Sequence, residues 1–101
     1  MAGKAKAPKP DKYGLMPGER EALESDQGNR CLICGRQPKT VRLHVDHCHH
    51  CGKYAPRKSI RGLLCHRCNR GLFNEDPTLY RRAALYLESH VCPPKPTRQR
   101  R

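Results

Sequence analysis

Three pairs of cysteines, each with two residues between its members, constrain this chain more than any other feature of its sequence. The pairs are Cys31 and Cys34, Cys48 and Cys51, and Cys65 and Cys68. The two thiolates of such a pair can bind one zinc ion at about 2.3 Å, and two pairs complete a tetrahedral site. Joining the outer pairs encloses 30 residues, whereas joining the middle pair to either neighbour encloses 13. Spacing alone favours the shorter loops and leaves the pairing open.

The rest of the composition explains why a metal is needed. Only 16 of the 101 residues are Leu, Ile, Val or Phe, and the formal net charge is +12. Such a composition is typical of disordered chains. A structural zinc contributes about 10–16 kcal/mol in finger-type peptides, comparable with the stability of a whole domain at about 5–15 kcal/mol. We therefore expect either a disordered basic chain or a domain that folds around metal, and the cysteine pairs favour the second.

The sequence also excludes several classes of protein. It contains no apolar run long enough to span a membrane, and its first ten residues lack the apolar segment of a secretory signal. Cysteines in the reducing cytoplasm bind metal more often than they form disulfides, so we expect a cytoplasmic metal-binding protein. The positive charge favours nucleic acid as the partner, ahead of a membrane surface.

Charge and proline divide the chain into three parts. Residues 1–12 and 93–101 are rich in Pro and in Lys or Arg, which predicts disordered basic arms. Residues 13–92 form the predicted domain.

Local signals predict the elements of that domain. Proline, acidic and capping residues favour two helices, and alternation of apolar and polar residues favours a strand. The predicted elements are a helix at Pro17–Gln27, strands at Val41–Val45 and Ser59–Leu64, a short helix from His66 that ends near Gly71, and a helix from Pro77 to about Ser89.

Polar residues suited to phosphate chemistry stand next to the cysteine pairs. Asp46 and His47 follow the first predicted strand, and Asn69 follows Cys68 directly. Carboxylate and amide oxygens are typical Mg²⁺ ligands, and an imidazole that is neutral near pH 7 can take a proton from water. This order of residues is suited to hydrolytic phosphate chemistry.

The sequence resembles the phage recombination endonuclease VII family of HNH (His-Me finger) nucleases over roughly residues 13–90. The motifs that carry the resemblance are Tyr13-Gly14-Leu15, Cys31-Leu32-Ile33-Cys34-Gly35, Val45-Asp46-His47-Cys48-His49, Arg61-Gly62-Leu63-Leu64-Cys65, Cys68-Asn69 and the final helix. The resemblance implies a small α+β zinc-stabilised domain with a ββα-metal core between N- and C-terminal helices.

The resemblance also implies roles for individual residues of a metal-dependent DNA endonuclease. His47 is the general base, and His49 contacts the phosphate or assists proton transfer. Asp46 and Asn69 bind the catalytic Mg²⁺ or Mn²⁺. The implied ligands of the structural zinc are Cys31, Cys34, Cys65 and Cys68, and the arginines expected to contact DNA phosphates are Arg61, Arg67 and Arg70. The implied setting is the cytoplasm of a bacterial host, where a phage-encoded enzyme acts on branched or nicked DNA during recombination or packaging.

Several alternatives stay open at this point. The same residues are compatible with a non-catalytic zinc module that binds DNA, or with a zinc knuckle that binds protein. The long segment after His49 leaves room for a second ion at Cys48 and Cys51, with His44 or His50 as a further ligand. Cys92 stands apart from the pairs and is expected to be a free thiol without a ligand role. The oligomeric state is open, with a homodimer as one alternative.

Overall fold

The structure is a computed structural model that describes residues 7–96. Within this range, helices and strands follow in the order α1 (Glu19–Asp26), β1 (His44–His47), two 3₁₀ turns (Cys51–Lys53 and Arg57–Ser59), β2 (Ile60–Leu64), α2 (His66–Asn69) and α3 (Pro77–Glu88). The prediction of a small α+β domain is confirmed. The outermost parts of the two predicted arms, residues 1–6 and 97–101, lie outside the described residues.

Helix α1 begins two residues later than predicted and ends one residue earlier. Gly18 adopts a left-handed backbone with φ of 90°, so the helix begins after it and Pro17 is not the first helical residue. At the other end, Gly28 also has a positive φ, of 62°. The N–H of Gly28 donates to the Ser25 carbonyl and the N–H of Asn29 to the Glu24 carbonyl. This pattern is the Schellman motif, which satisfies the last carbonyl groups of a helix.

The two strands pair in antiparallel fashion with one irregularity. His44 lies opposite Leu64 and Asp46 opposite Gly62, but His47 lies opposite Ile60. Arg61 is therefore the extra residue of a β-bulge, a feature that redirects side chains and increases local twist.

The first predicted strand began too early. Val41 is 62% exposed, and Arg42 forms ion pairs with Glu21 and Glu24 of α1 instead of pairing with β2. The alternation of apolar and polar residues thus starts before His44, where pairing with β2 begins. The second predicted strand agrees with β2 to within one residue.

The two remaining helices agree with prediction. The Asp76 carboxylate accepts a hydrogen bond of 2.9 Å from the Thr78 N–H, and Pro77 is the first residue of α3. Helix α2 is short and is followed by Gly71, whose φ is 70°. Helix α3 buries Ala83 and Tyr86.

A small core holds these elements together. The Gln27 side chain connects α1 to the sheet, because its amide donates to the Leu63 carbonyl at 3.0 Å and accepts from the Leu63 N–H at 2.9 Å. The buried residues of the core are Leu15, Cys31, Ile33, Leu43, Val45, Leu63, Leu64, Cys68, Phe73, Ala83 and Tyr86. Because cysteines belong to this core, folding of the sheet depends on the arrangement of the thiols.

Gly62 allows α3 to approach the sheet closely. Its φ is 158°, and a Cβ atom at this position would collide with the Leu32 side chain and lie 3.3 Å from the Tyr86 hydroxyl. A glycine is therefore required next to the bulge, where the Tyr86 hydroxyl reaches Asp46.

Candidate functional site

The four outer cysteines come together as one cluster. Their sulfur atoms all lie within 4.8 Å of one another, and the cluster consists of Cys31, Cys34, Cys65 and Cys68. The Sγ atoms of Cys34 and Cys65 are 3.8 Å apart. A tetrahedral zinc with bonds of about 2.3 Å places its sulfur ligands about 3.8 Å from each other. This outer cysteine cluster can therefore hold the zinc ion that the sequence predicts.

Backbone groups surround the thiols of the outer cysteine cluster. The N–H of Gly35 donates to the Cys31 carbonyl at 2.9 Å, which closes a tight turn around the first pair. Cys65 precedes α2 and Cys68 lies within it. Burial acts to raise the pKa of the Cys31 thiol, but backbone N–H groups of Cys34, Cys65 and Ile33 outweigh it and lower the pKa to about 7. These N–H groups favour the thiolate of Cys31, the form that binds zinc, whereas burial raises the pKa of the Cys34 and Cys68 thiols.

His47 and His49 lie side by side at the end of β1. Their rings are stacked, with centroids 4.7 Å apart and planes inclined by 7°. The Tyr13 ring lies 5.4 Å from the His47 ring on a tilted plane. An open cleft of about 480 Å³ adjoins these rings, and the residues that line this histidine cleft are Lys12, Tyr13, His47, His49, Gly52, Lys53, Pro56 and Ser59. Two imidazoles and two ammonium groups around one opening form a site suited to an anion such as phosphate.

An N-terminal turn places two of these residues at the cleft. The Asp11 carboxylate accepts hydrogen bonds from the N–H groups of Tyr13, at 2.8 Å, and Leu15, at 3.0 Å. Leu15 is buried in the core, so the turn is anchored to the domain. Lys12 was assigned to a disordered arm from the sequence, whereas the structure includes it in the folded unit. The sequence signal that could have revealed this turn is Asp11 itself, since Asp often begins turns.

Asp46 does not line this cleft and has partners of its own. Its carboxylate accepts two hydrogen bonds from Arg61, at 2.8 and 3.2 Å, and one of 2.9 Å from the Tyr86 hydroxyl. Arg61 also donates to the His47 carbonyl at 3.1 Å. Burial and the neighbouring Asp46 carboxylate raise the pKa of Tyr86, so its hydroxyl remains a donor. Arg61, which the sequence assigns to DNA phosphates, is thus bound to a carboxylate of its own chain, because the bulge directs it there.

The residues predicted on and after α2 are exposed. Asn69 is the last residue of the helix, and no hydrogen bond joins its side chain to Asp46 within residues 7–96. Arg67 and Arg70 are also exposed, and neither forms an ion pair in this part of the chain. These arginines can therefore contact a phosphate without first breaking an ion pair described here.

A second cluster lies beyond the histidine cleft. It consists of Cys48, Cys51, His90 and Cys92, whose ligand atoms all lie within 4.8 Å of one another. Cys92, which the sequence is expected to leave as a free thiol without a ligand role, thus lies beside three other side chains that could bind a metal. The nearby histidine is His90 and neither His44 nor His50, because α3 brings its C-terminal end back to the loop after β1. The spacing of His90 and Cys92 just before two prolines is the sequence signal that could have indicated this.

These features define the class of protein. It is a small α+β domain with two strands, a basic histidine cleft and cysteine clusters that could bind zinc. The chain belongs to the recombination endonuclease VII family, whose family model matches residues 7–89. This confirms the resemblance found in the sequence. No curated protein and no solved structure was found to match the chain. None of the helices described between residues 7 and 96 is long and apolar enough to cross a membrane.

Proposed function

We propose that this protein is a metal-dependent DNA endonuclease of the HNH type, which hydrolyses phosphodiester bonds. The observation that carries the proposal is the histidine cleft, where stacked His47 and His49 face an opening lined by Lys12 and Lys53. A phosphodiester is an anion, and its hydrolysis requires a group that removes a proton from water. The cleft offers both kinds of residue in a chain that belongs to an endonuclease family.

In this proposal His47 is the general base and His49 assists it. The His47 ring is held between Tyr13 and His49, and its backbone carbonyl is bound by Arg61. A base fixed in this way accelerates proton transfer by about 10²–10⁴-fold. His49 contacts the phosphate or passes on the proton, and the two lysines attract the DNA backbone.

Asp46 and Asn69 are the residues that would hold a catalytic Mg²⁺ or Mn²⁺. Their oxygen atoms suit these ions. When bound, such an ion stabilises negative charge on the phosphate and on the leaving oxygen. The Asp46 carboxylate is bound by Arg61 and Tyr86 in this structure. Arg61 therefore orients this carboxylate, and it competes with a cation for the same oxygen atoms.

The order of β1, β2 and α2 supports a ββα-metal core. Cys65 connects β2 directly to α2, so a structural zinc in the outer cysteine cluster would fix the helix that ends at Asn69. This provides a physical reason for structural and catalytic residues to alternate along the chain.

We further propose that the substrate is branched or nicked DNA in phage recombination or packaging, within the cytoplasm of a bacterial host. The net charge of +12 favours DNA, and the exposed Arg67 and Arg70 add positive charge on the helix side of the sheet.

Cleavage of supercoiled plasmid tests the proposed activity. Zinc-loaded protein should nick the plasmid with Mg²⁺ and stop when EDTA is added, and linear, nicked, Y-shaped and four-way DNA compared side by side should reveal the preferred substrate. For variants of His47 and His49, the matched control is His50→Ala, since His50 is exposed and does not line the cleft. Pure, zinc-loaded protein that nicks none of these DNA forms would exclude the proposal.

A non-catalytic zinc module that binds DNA is the second candidate. One observation favours it: both oxygen atoms of Asp46 already have partners from the chain itself. Binding to DNA without cleavage, in Mg²⁺ and in Mn²⁺, would establish this function instead.

A further inference from the structure

The second cluster of metal-binding side chains has the dimensions of a zinc site. The Sγ atoms of Cys48 and Cys92 are 3.7 Å apart. Nε2 of His90 lies 3.4 Å from the Cys51 sulfur and 4.0 Å from the Cys92 sulfur. A tetrahedral zinc with bonds of about 2.3 Å to sulfur and about 2.0 Å to nitrogen places its ligands about 3.5–3.8 Å apart. The four side chains are therefore arranged around one point with the spacing that zinc requires.

The turn that holds Cys48 and Cys51 has the same form as the other two cysteine turns. The Gly52 N–H donates to the Cys48 carbonyl at 2.9 Å, as the Gly35 N–H does to Cys31 and the Asn69 N–H to Cys65, both also at 2.9 Å. All three pairs thus share one backbone turn, in which two thiols project to the same side. Two of these turns form the outer cysteine cluster, and the third lies with His90 and Cys92.

The chain around the second cluster is also anchored. Cys51 is fully buried, with 0% of its surface exposed, and the other three ligand residues are partly buried. The Tyr54 hydroxyl donates to the Pro93 carbonyl at 2.8 Å, directly after Cys92. The C-terminal segment is therefore attached to the loop after β1 next to the cluster.

From this geometry we propose that Cys48, Cys51, His90 and Cys92 bind a second zinc ion. Three thiolates and one imidazole are a typical ligand set of structural zinc, and four protein ligands leave no open position for a substrate. Soft sulfur ligands exclude Mg²⁺ and Ca²⁺ as the resident ion. The ion is structural and connects residues that are 44 positions apart in the chain.

This second ion also positions the histidine cleft, a consequence that depends on the proposed function. Cys48 lies between His47 and His49 in the chain, so a metal bond to Cys48 fixes the backbone between the two stacked rings. The end of α3 thereby supports the cleft although it contributes no residue to it.

Metal analysis of the full chain tests the site. Protein loaded with zinc under reducing conditions should contain two zinc ions per chain, one for each cluster. Cys92→Ser and His90→Ala should each retain one, and His50→Ala, a change in the same loop outside the cluster, should retain two. One zinc ion in the unaltered chain, or two in Cys92→Ser, would overturn the proposal.

Alkylation of the unaltered protein provides a test that does not depend on how a variant folds. Cys48 and Cys92 are partly exposed, so iodoacetamide can reach them in the absence of metal. In zinc-loaded protein both should be protected, and EDTA should restore their modification, as read by peptide mass spectrometry. Rapid modification of Cys92 in the zinc-loaded chain would contradict the proposal. Neither readout requires nuclease activity, so a failure of the proposed function leaves this test intact.

Discussion

Arg61 and Asp46 form a two-point ion pair across the bulge of the sheet, with distances of 2.8 and 3.2 Å. Because of the bulge, Arg61 has no paired residue on the opposite strand, and its guanidinium turns to the Asp46 carboxylate of β1. The pair is largely shielded from solvent, and Tyr86 completes it from α3. This relationship bears directly on the metal-binding role proposed for Asp46.

Arg61→Gln should lower the Mg²⁺ concentration that gives half-maximal cleavage, because the carboxylate loses its competing cation. Asp46→Ala should raise that concentration, with partial recovery of cleavage at high Mg²⁺ or with Mn²⁺. Cleavage rates measured over a Mg²⁺ titration distinguish the two effects. An Arg61→Gln variant that cuts no DNA at any Mg²⁺ concentration would instead show that Arg61 acts on the substrate.

His47→Ala should lose about 10²–10⁴-fold in cleavage rate, as expected for the loss of a positioned base. Zinc content and DNA affinity should remain, and Mn²⁺ should not restore cleavage, since a metal ion does not replace a proton acceptor. His49→Ala should show a smaller loss. If His49→Ala is inactive and His47→Ala is only mildly affected, the roles of the two histidines are reversed.

Some features could be predicted from the sequence because their signals are local. Asp76 and Pro77 mark the start of α3, and Gly28 marks the end of α1, since a cap depends only on its immediate neighbours. The position of β1 could not be predicted in this way. Alternation identifies residues that suit a strand, but only the partner decides where pairing begins.

Other features require contacts that no local pattern encodes. Lys12 reaches the histidine cleft because Asp11 folds the N-terminal segment back, and Cys92 reaches Cys48 because α3 returns to the loop. The pairing of Arg61 with Asp46 depends on the strand register, which shifts by one residue at the bulge. Each of these required the tertiary structure.

Cys31→Ser and Cys68→Ser should unfold the domain and release its zinc, because both residues belong to the core and metal binding is coupled to folding. Circular dichroism together with metal analysis measures both effects. Cys92→Ser, which leaves the outer cysteine cluster intact, should remain folded at moderate temperature. A folded, zinc-free Cys68→Ser protein would show that the core does not need this ion.

Lys12→Ala and Lys53→Ala should each make DNA binding less dependent on salt. Loss of one phosphate contact reduces the slope of log affinity against log salt by about 0.9. Lys58→Ala is the control, since Lys58 is exposed and does not line the cleft. Fluorescence anisotropy at several salt concentrations gives the slopes. Equal slopes for all three variants would show that DNA does not contact the histidine cleft.

Gly62→Ala should destabilise the zinc-loaded protein by about 1–3 kcal/mol, the usual cost of overpacking. The added Cβ collides with Leu32 and crowds the Tyr86 hydroxyl. Gly52→Ala is a matched control, because its Cβ would make only ordinary contacts, at 3.5 Å, with His47 and Ser59. Urea denaturation of both variants measures the difference. Equal midpoints would show that the Leu32 side chain moves aside at little cost in stability.

The amide of Gln27 occupies both the N–H and the carbonyl of Leu63 at the outer side of β2. A side chain here makes the hydrogen bonds that a neighbouring strand would otherwise make. Open edges of small sheets are templates for pairing with other chains and for aggregation. By occupying both groups with the side chain of the residue that follows α1, the protein blocks another chain from pairing with β2 at Leu63.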